Sequence, residues 1–196
     1  VHDGSVLGAR GVINISDPNS QDAIGKINLR STVTGYYLRK FLDTNINLSA
    51  QTIASTYHYF PVIRLADIYL LYAEAMNEVY GPNDAADLGW TAIEALNKVR
   101  ARAGITTSYA TTSPTEMTKK IRNERRVELA FEEQRYFDLR RWKTADKDLN
   151  QPLMGFRIER QENDAVSAHE FVVDGQRRFN AKMYYSPIPY SEMQLN

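Results

Sequence analysis

A mainly α fold follows from three features of the sequence. Two neighbouring stretches, 61–80 and about 85–103, repeat apolar residues every three or four positions. A third begins at Ser113-Pro114-Thr115-Glu116, the firmest helix start in the chain. Around them lie segments punctuated by glycine and proline, with little helical periodicity. The expected architecture is a tetratricopeptide-like helical hairpin plus a long charged helix, with irregular loops and a small β-hairpin. At 196 residues the chain is long enough for one domain and short for two. Within a single domain 1–196 we expect an irregular N-terminal segment, 1–59, a helical body, 60–147, and a β/loop tail, 148–196.

Residues 1–59 carry Gly4, Gly8, Gly11, Pro18, Gly25 and Gly35, with polar clusters such as Ser16-Asp17-Pro18-Asn19-Ser20. Val12–Ile15 and Tyr36–Phe41 read as short extended pieces in otherwise irregular chain. Pro61 suits the first position of a helix, where its missing N–H costs nothing. Two stripes then run side by side: Val62, Leu65, Tyr69, Tyr72, Met76 and Val79, and Ile63, Ala66, Leu70, Ala73 and Tyr80. So wide an apolar surface predicts a central helix. Gly81-Pro82-Asn83 breaks it, and Asp84 is placed to cap the next, whose stripe is Ala85, Leu88, Ala92, Leu96, Val99 and Ala103. Gly104 follows as a C-terminal stop. A single hairpin of this kind needs neighbours to cover its apolar faces.

After the loop Ile105–Thr112, the helix launched at Ser113 runs into Ile121–Trp142, with a second helix expected over Gln134–Trp142. This stretch is dense in charge yet also carries Val127, Leu129, Phe131, Phe137 and Trp142. Ile121, Arg125, Glu128 and Glu132 align at helical spacing beside the strip of Val127, Ala130 and Phe131. Charge mixed with aromatics places some Arg and Glu beneath apolar surface, where they must be paired. Arg125 or Arg135 is expected to pair with Glu128 or Asp138 at low exposure, forming a structural ion-pair network. Beyond Lys147 the helical pattern stops. Gly155–Glu159 and Glu170–Val173 alternate as strands around a loop at 161–168, and Pro187 and Pro189 predict an irregular tail.

Composition narrows the chemistry. Lys plus Arg and Asp plus Glu are both 24, so the zero net charge argues against a nucleic-acid partner. Six arginines between Arg122 and Arg141 suggest phosphate binding, but Glu124, Glu128, Glu132, Glu133 and Asp138 interleave with them, which favours internal pairing. There is no cysteine, which excludes disulfides and cysteine-based zinc sites. No apolar run approaches the ~20 residues of a membrane span. His2, His58 and His169 are scattered, and His169-Glu170-Phe171-Val172-Val173 resembles HExxH with its second ligand missing. No nucleophile elbow, phosphate loop or dinucleotide fingerprint is present, and we expect no catalytic, metal or cofactor site. Glu132 and Glu133 form a carboxylate pair of the sort that is common on solvated helices. Of the twelve tyrosines and two tryptophans, Tyr57, Tyr59, Trp90 and Tyr109 fall in loops or near a helix start. They are the weak candidates for stacking on a sugar, with packing against the hairpin as the alternative.

Four segments together resemble the SusD/RagB family of nutrient-binding outer-membrane lipoproteins. They are ERRVELAFEEQRYFDLRRWK (124–143), FPVIRLADIYLLYAEAMNE (60–78), YYSPIPYSEMQLN (184–196) and the weaker GYYLRKFLD (35–43). The resemblance covers most of residues 35–196 and is to the family's C-terminal portion. One departure is visible: the family usually has Gly after the Phe-Glu pair, where this chain has Glu133. A glycine there permits a positive-φ turn, so Glu133 leaves open whether the helix breaks. The resemblance implies capture of a glycan or other oligomeric nutrient at the cell surface and its delivery to a SusC-type TonB-dependent transporter, with no bond made or broken. It also implies that a signal peptide, a lipid-bearing Cys and N-terminal helical repeats lie upstream of Val1, so that the membrane is reached only through a lipid anchor. The family's ligand contacts lie in variable segments, so no binding residue is carried over by motif. The rival expectation is an intracellular helical-repeat adaptor for other proteins.

Overall fold

The computed structural model describes residues 14–17, 19, 20, 22–25, 31–41, 59–160, 166–173, 175 and 177–194. The fold is mainly α. It forms two compact units, Phe60–Arg141, and Val1–Tyr59 together with Trp142–Asn196. The first contains α1 (Leu65–Val79), α2 (Ala92–Arg102), α3 (Pro114–Glu128) and α4 (Gln134–Arg141). The second contains α5 (Ala145–Asp148), the strands β1 (Met154–Arg160) and β2 (Val166–Val172), a 3-10 turn at Ala181–Tyr184 and the single turn α6 (Tyr190–Met193).

Two helix starts differ from expectation, each for a local reason. α1 begins at Leu65 rather than at Pro61, because Arg64 is extended (φ −137°, ψ 158°) and sends its guanidinium to the carbonyl of Glu128 at the end of α3. α2 begins at Ala92 rather than about Ala85, because Asp84 closes a turn onto Ala86 N–H at 2.8 Å instead of capping a helix. Thr91 takes the cap: its hydroxyl accepts from Glu94 N–H at 3.1 Å, and Glu94 accepts from Thr91 N–H at 2.8 Å. The reciprocal capping box lies seven residues past Asp84, where the cap was expected. Leu88 is left outside the helix and exposed. α3 starts where the sequence places it, with Ser113 Oγ accepting from Glu116 N–H at 3.3 Å. The Glu116 carboxylate pairs with Lys119 at 2.8 Å rather than completing a second box.

The core of the helical unit is Leu70, Ala73 and Met76 of α1, Ala92, Ala95, Leu96 and Val99 of α2, and Met117 and Ile121 of α3. Three alanines at these contacts, Ala73, Ala92 and Ala95, let the helices approach closely. The larger side chains each contribute about 1.5–3 kcal/mol through burial. α1 lies between the other two. Asp67 near its start bonds Arg125 near the end of α3, and Asn77 near its end bonds Pro114 O at 3.0 Å, so α1 and α3 run antiparallel. Tyr72 bonds the carbonyl of Trp90 at 2.8 Å and ties α1 to the start of α2. The wide apolar face expected of α1 is buried on one side only. Leu65, Ile68, Leu71 and Val79 remain 65%, 49%, 40% and 69% exposed.

In the second unit, β1 and β2 pair antiparallel from Met154↔Val172 to Arg160↔Val166. β2 thus takes in the last three residues, Val166–Ala168, of the loop expected at 161–168. Gly155 sits beneath the Phe171 ring opposite it, where an added Cβ would come within 2.4 Å. Gly35 (φ +80°) lies so near the Phe156 carbonyl that a side chain has no room, and Phe156 N–H donates to Thr34 O at 2.8 Å. Among the described residues, the pieces expected to be extended at Val12–Ile15 and Tyr36–Phe41 form no strand; Val12 and Ile13 lie outside the description. Asn150 holds the backbone of buried Phe179 with two bonds, at 2.7 and 3.1 Å. The tail has two single helical turns rather than wholly irregular chain, and Pro189 serves as the cap of the second.

The long charged helix is two helices. α3 ends at Glu128, and α4 starts at Gln134 after an elbow in which Phe131 (φ 64°) and Glu133 (φ 63°) are left-handed. A left-handed non-glycine residue costs about 1–2 kcal/mol. Glycine's extra freedom in the unfolded chain returns about 0.4–1 kcal/mol of that. Glu133→Gly should therefore raise stability by about 0.5–1 kcal/mol in urea melts. An unchanged or lower midpoint would show that the elbow stores no strain.

Candidate functional site

The elbow is held by arginines on both sides. Arg125 on α3, with its side chain 2% exposed, donates from Nε to Asp138 Oδ2 of α4 and from Nη1 to Asp67 Oδ1 of α1, both at 2.8 Å. Asp138 also accepts from Arg141 Nε at 3.0 Å, and Arg141 grips both oxygens of Glu74 at 2.6 Å. The chain Asp67–Arg125–Asp138–Arg141–Glu74 starts and ends on α1. Its two ends are seven residues apart, on the same helical face. One closed ring therefore fastens α3 and α4 to α1.

A second cluster fastens the elbow itself. Arg64, just before α1, donates to Glu132 Oε2 at 2.7 Å, and to both the carboxylate and the carbonyl of Glu128 at 2.6 Å. The carbonyl bond satisfies an otherwise open acceptor at the end of α3. Burial pulls the Arg64 pKa down, but the Glu132 and Glu128 carboxylates outweigh it and hold it above the ordinary value. Arg102 of α2 also pairs with Glu128. Arg100 reaches Glu124 at 3.2 Å. The carboxylates of Asp67, Glu124, Glu128, Glu132 and Asp138 are all bonded to arginine, an arrangement that suits a structural role.

Beside these clusters lies an open depression of about 540 Å3, lined by Leu129, Phe131, Glu133, Arg135, Tyr136 and Phe137. Phe131, Tyr136 and Phe137 are exposed, and the last two meet edge to face at 5.1 Å. The Arg140 guanidinium lies 3.5 Å from the Tyr136 ring centroid. Left-handed Phe131 and Glu133 turn the chain so that this apolar surface faces outward.

Of the residues singled out in the sequence, the structure joins Arg125 to Asp138 directly and gives Glu128 to Arg64 and Arg102 instead. Arg135 is half-buried at the depression. Among the sugar-stacking candidates, Tyr57 lies outside the described residues and Tyr59 is exposed. Trp90 has Tyr69 at 5.3 Å and Lys98 Nζ 4.2 Å from its ring. Tyr109 packs against the core, its backbone is clamped by Asn97 at 2.8 and 2.9 Å, and Lys120 sits near its ring. Each of these two rings has partners of its own, and Trp90 stays partly open to solvent. His169 lies on a strand opposite Arg157, where the helical spacing of HExxH has no meaning. Asp67 and Arg64 were not singled out, and Glu132 was, but without Arg64 as its partner. Asp67 carries the signal that finds it, since it is a lone acid in the apolar run between Arg64 and Glu74.

The SusD family profile matches residues 16–196. The chain belongs to the SusD family. A SusD-like protein of Formosa agariphila, P25, is 39% identical over 89 residues, which span 41% of this chain and 15% of that protein. A solved SusD-like protein from Bacteroides fragilis superposes with a TM-score of 0.70 at 27% identity, covering 98% of this chain and 35% of the other. A SusD-like carbohydrate binding protein from the same species has the same fold, with a TM-score of 0.75 at 23% identity, covering 100% and 39%. The chain thus spans well under half the length of these SusD-family relatives. Where the family usually places glycine, Glu133 adopts the positive φ that glycine would supply, so the helix breaks without it.

The two clusters differ in burial, and that sets their weights. Arg125→Ala or Asp138→Ala should cost about 3–5 kcal/mol, because each strands a buried charge. Arg102→Ala removes a side chain that is 63% exposed and should cost about 0–1 kcal/mol. Thermal melts of the three variants test the ranking, and equal small losses would show that the Arg125 ring carries no structural weight.

Proposed function

We propose that this chain is part of a surface-exposed outer-membrane lipoprotein that captures a glycan or another oligomeric nutrient. The ligand is passed to a SusC-type TonB-dependent transporter, and the lipid anchor lies upstream of Val1. The observation that carries this reading is the family match over residues 16–196. The role is binding and delivery without catalysis. Supporting that, the buried carboxylates are locked to arginines, and Glu132 of the Glu132–Glu133 pair is bonded to Arg64. The adaptor reading rests on a single helical hairpin, and a family match across nearly the whole chain outweighs it.

Sugar affinity needs several aromatic platforms and polar groups converging on one concave surface. Tyr109 packs against the core, and the Trp90 ring, 38% exposed, already has Tyr69 and Lys98 beside it. The principal glycan contacts are therefore assigned to the part of the protein outside these 196 residues. Calorimetry with the glycan recognised by the full-length protein tests this: residues 1–196 alone should bind at least tenfold more weakly and hydrolyse nothing. Equal affinity would place the site within this chain. Turnover lost in Glu132→Gln or Glu133→Gln would make it an enzyme.

A further inference from the structure

Two residues past the end of α4, Lys143 is left-handed (φ 53°). Helices commonly close on a left-handed residue, and the usual choice is glycine. Lysine is strained in that conformation, and a strained residue persists where its surroundings hold it. The Lys143 side chain has such surroundings. Its ammonium lies 4.7 Å from the ring centroids of both Tyr184 and Tyr185, and it donates to the Tyr185 hydroxyl at 3.4 Å.

The same two stretches of chain meet again further along. The Tyr184 hydroxyl donates to the Asp146 carboxylate of α5 and accepts from Asp146 N–H at 3.2 Å. Asn150 holds the Phe179 backbone, and Arg177 donates to the Gln151 carbonyl at 3.1 Å. Lys143 meets 184 and 185, Asp146 meets 184, Asn150 meets 179, and Gln151 meets 177. That order makes residues 177–185 an antiparallel strap across α5 and its flanks. At the inner end the strap is anchored by buried Phe179, on which Tyr184 closes edge to face at 4.9 Å. At the outer end Tyr185 is 74% exposed, and Lys143 holds it.

We infer that Lys143 is the clasp of this strap: its charge, at a position where glycine is sterically easier, keeps the C-terminal segment closed on α5. An ammonium over two aromatic rings is attracted by both. Without it the 3-10 turn at Ala181–Tyr184 opens locally, while the β1–β2 hairpin stays folded. Beyond the clasp Ile188, Tyr190 and Met193 are exposed, so the clasp sets where this apolar segment leaves the strap. The inference rests on the geometry of the strap and is independent of the glycan reading.

Native-state hydrogen exchange followed by NMR on residues 1–196 tests this at two amides. Asp146 N–H donates to Tyr184, and Met183 N–H donates to Asn180 O at 2.8 Å. Lys143→Gly relieves the backbone and deletes the clasp, Lys143→Met keeps the stem without the charge, and Lys143→Arg keeps a cation that stacks on aromatic rings. Both amides should exchange about tenfold faster or more in the glycine and methionine variants, and within about threefold of the unmodified chain in the arginine variant. Amides of the hairpin, Met154–Val172, should change little in all three. Unchanged or slower exchange in the glycine and methionine variants would overturn the inference. So would equal acceleration in the hairpin, which would mean general loosening, or equal acceleration in the arginine and methionine variants, which would mean that charge is not what closes the strap.

Discussion

Arg125 carries a full charge at 2% exposure, and the packing of three helices follows from how that charge is balanced. Taking an ion out of water costs several kcal/mol, and close partners with good geometry must offset it. Asp67 and Asp138 do so from α1 and α4, while Arg125 itself comes from α3. Moving any one helix strands a buried charge on another. An aliphatic contact can slide by an ångström at small cost, but a pair of 2.8 Å bonds at fixed angles cannot. The apolar core supplies most of the stability of the helical unit; the arginine ring selects one arrangement from those the core would accept.

The same constraint explains the elbow. Left-handed Phe131 and Glu133 are unfavourable in isolation and persist where the surroundings over-determine them. Arg125 and Arg141 fix α4 on one side, and Arg64 fixes Glu128 and Glu132 on the other. The five residues between α3 and α4 must then turn within a set distance, and positive φ is how they do it. The turn leaves Phe131, Tyr136 and Phe137 exposed at the surface, around one open depression. Ion pairing, backbone conformation and the exposed apolar surface are thus one chain of cause.

Much of this was legible in the sequence, and the gaps have physical reasons. Helical periodicity and the Ser113 cap located α1, α2 and α3, because apolar spacing and capping act within a few residues. Arg125 with Asp138 was legible because charge so mixed with aromatics has to be paired. Asp67 was harder, since its partner lies 58 positions away and local spacing does not point to that partner. The sharper signal was composition: between Val62 and Asn77 the charged residues are Arg64, Asp67 and Glu74, and all three belong to the arginine clusters. α2 was placed too early because alanine and leucine at 85 and 88 continue the helical period, although Thr91 and Glu94 hold the true cap. The aromatic candidates were read from loop position, which does not show whether a ring face is already occupied.

The central claim is that Arg125 docks α4 onto α1 and α3. Native-state hydrogen exchange on Arg125→Lys measures this most directly, because lysine keeps the charge but cannot bond both aspartates in the same planar geometry. The account predicts that amides of Gln134–Arg141 lose on the order of a hundredfold in protection, while those of Ala92–Arg102 change by far less. Equal loss in both helices, or full protection retained in α4, would contradict it.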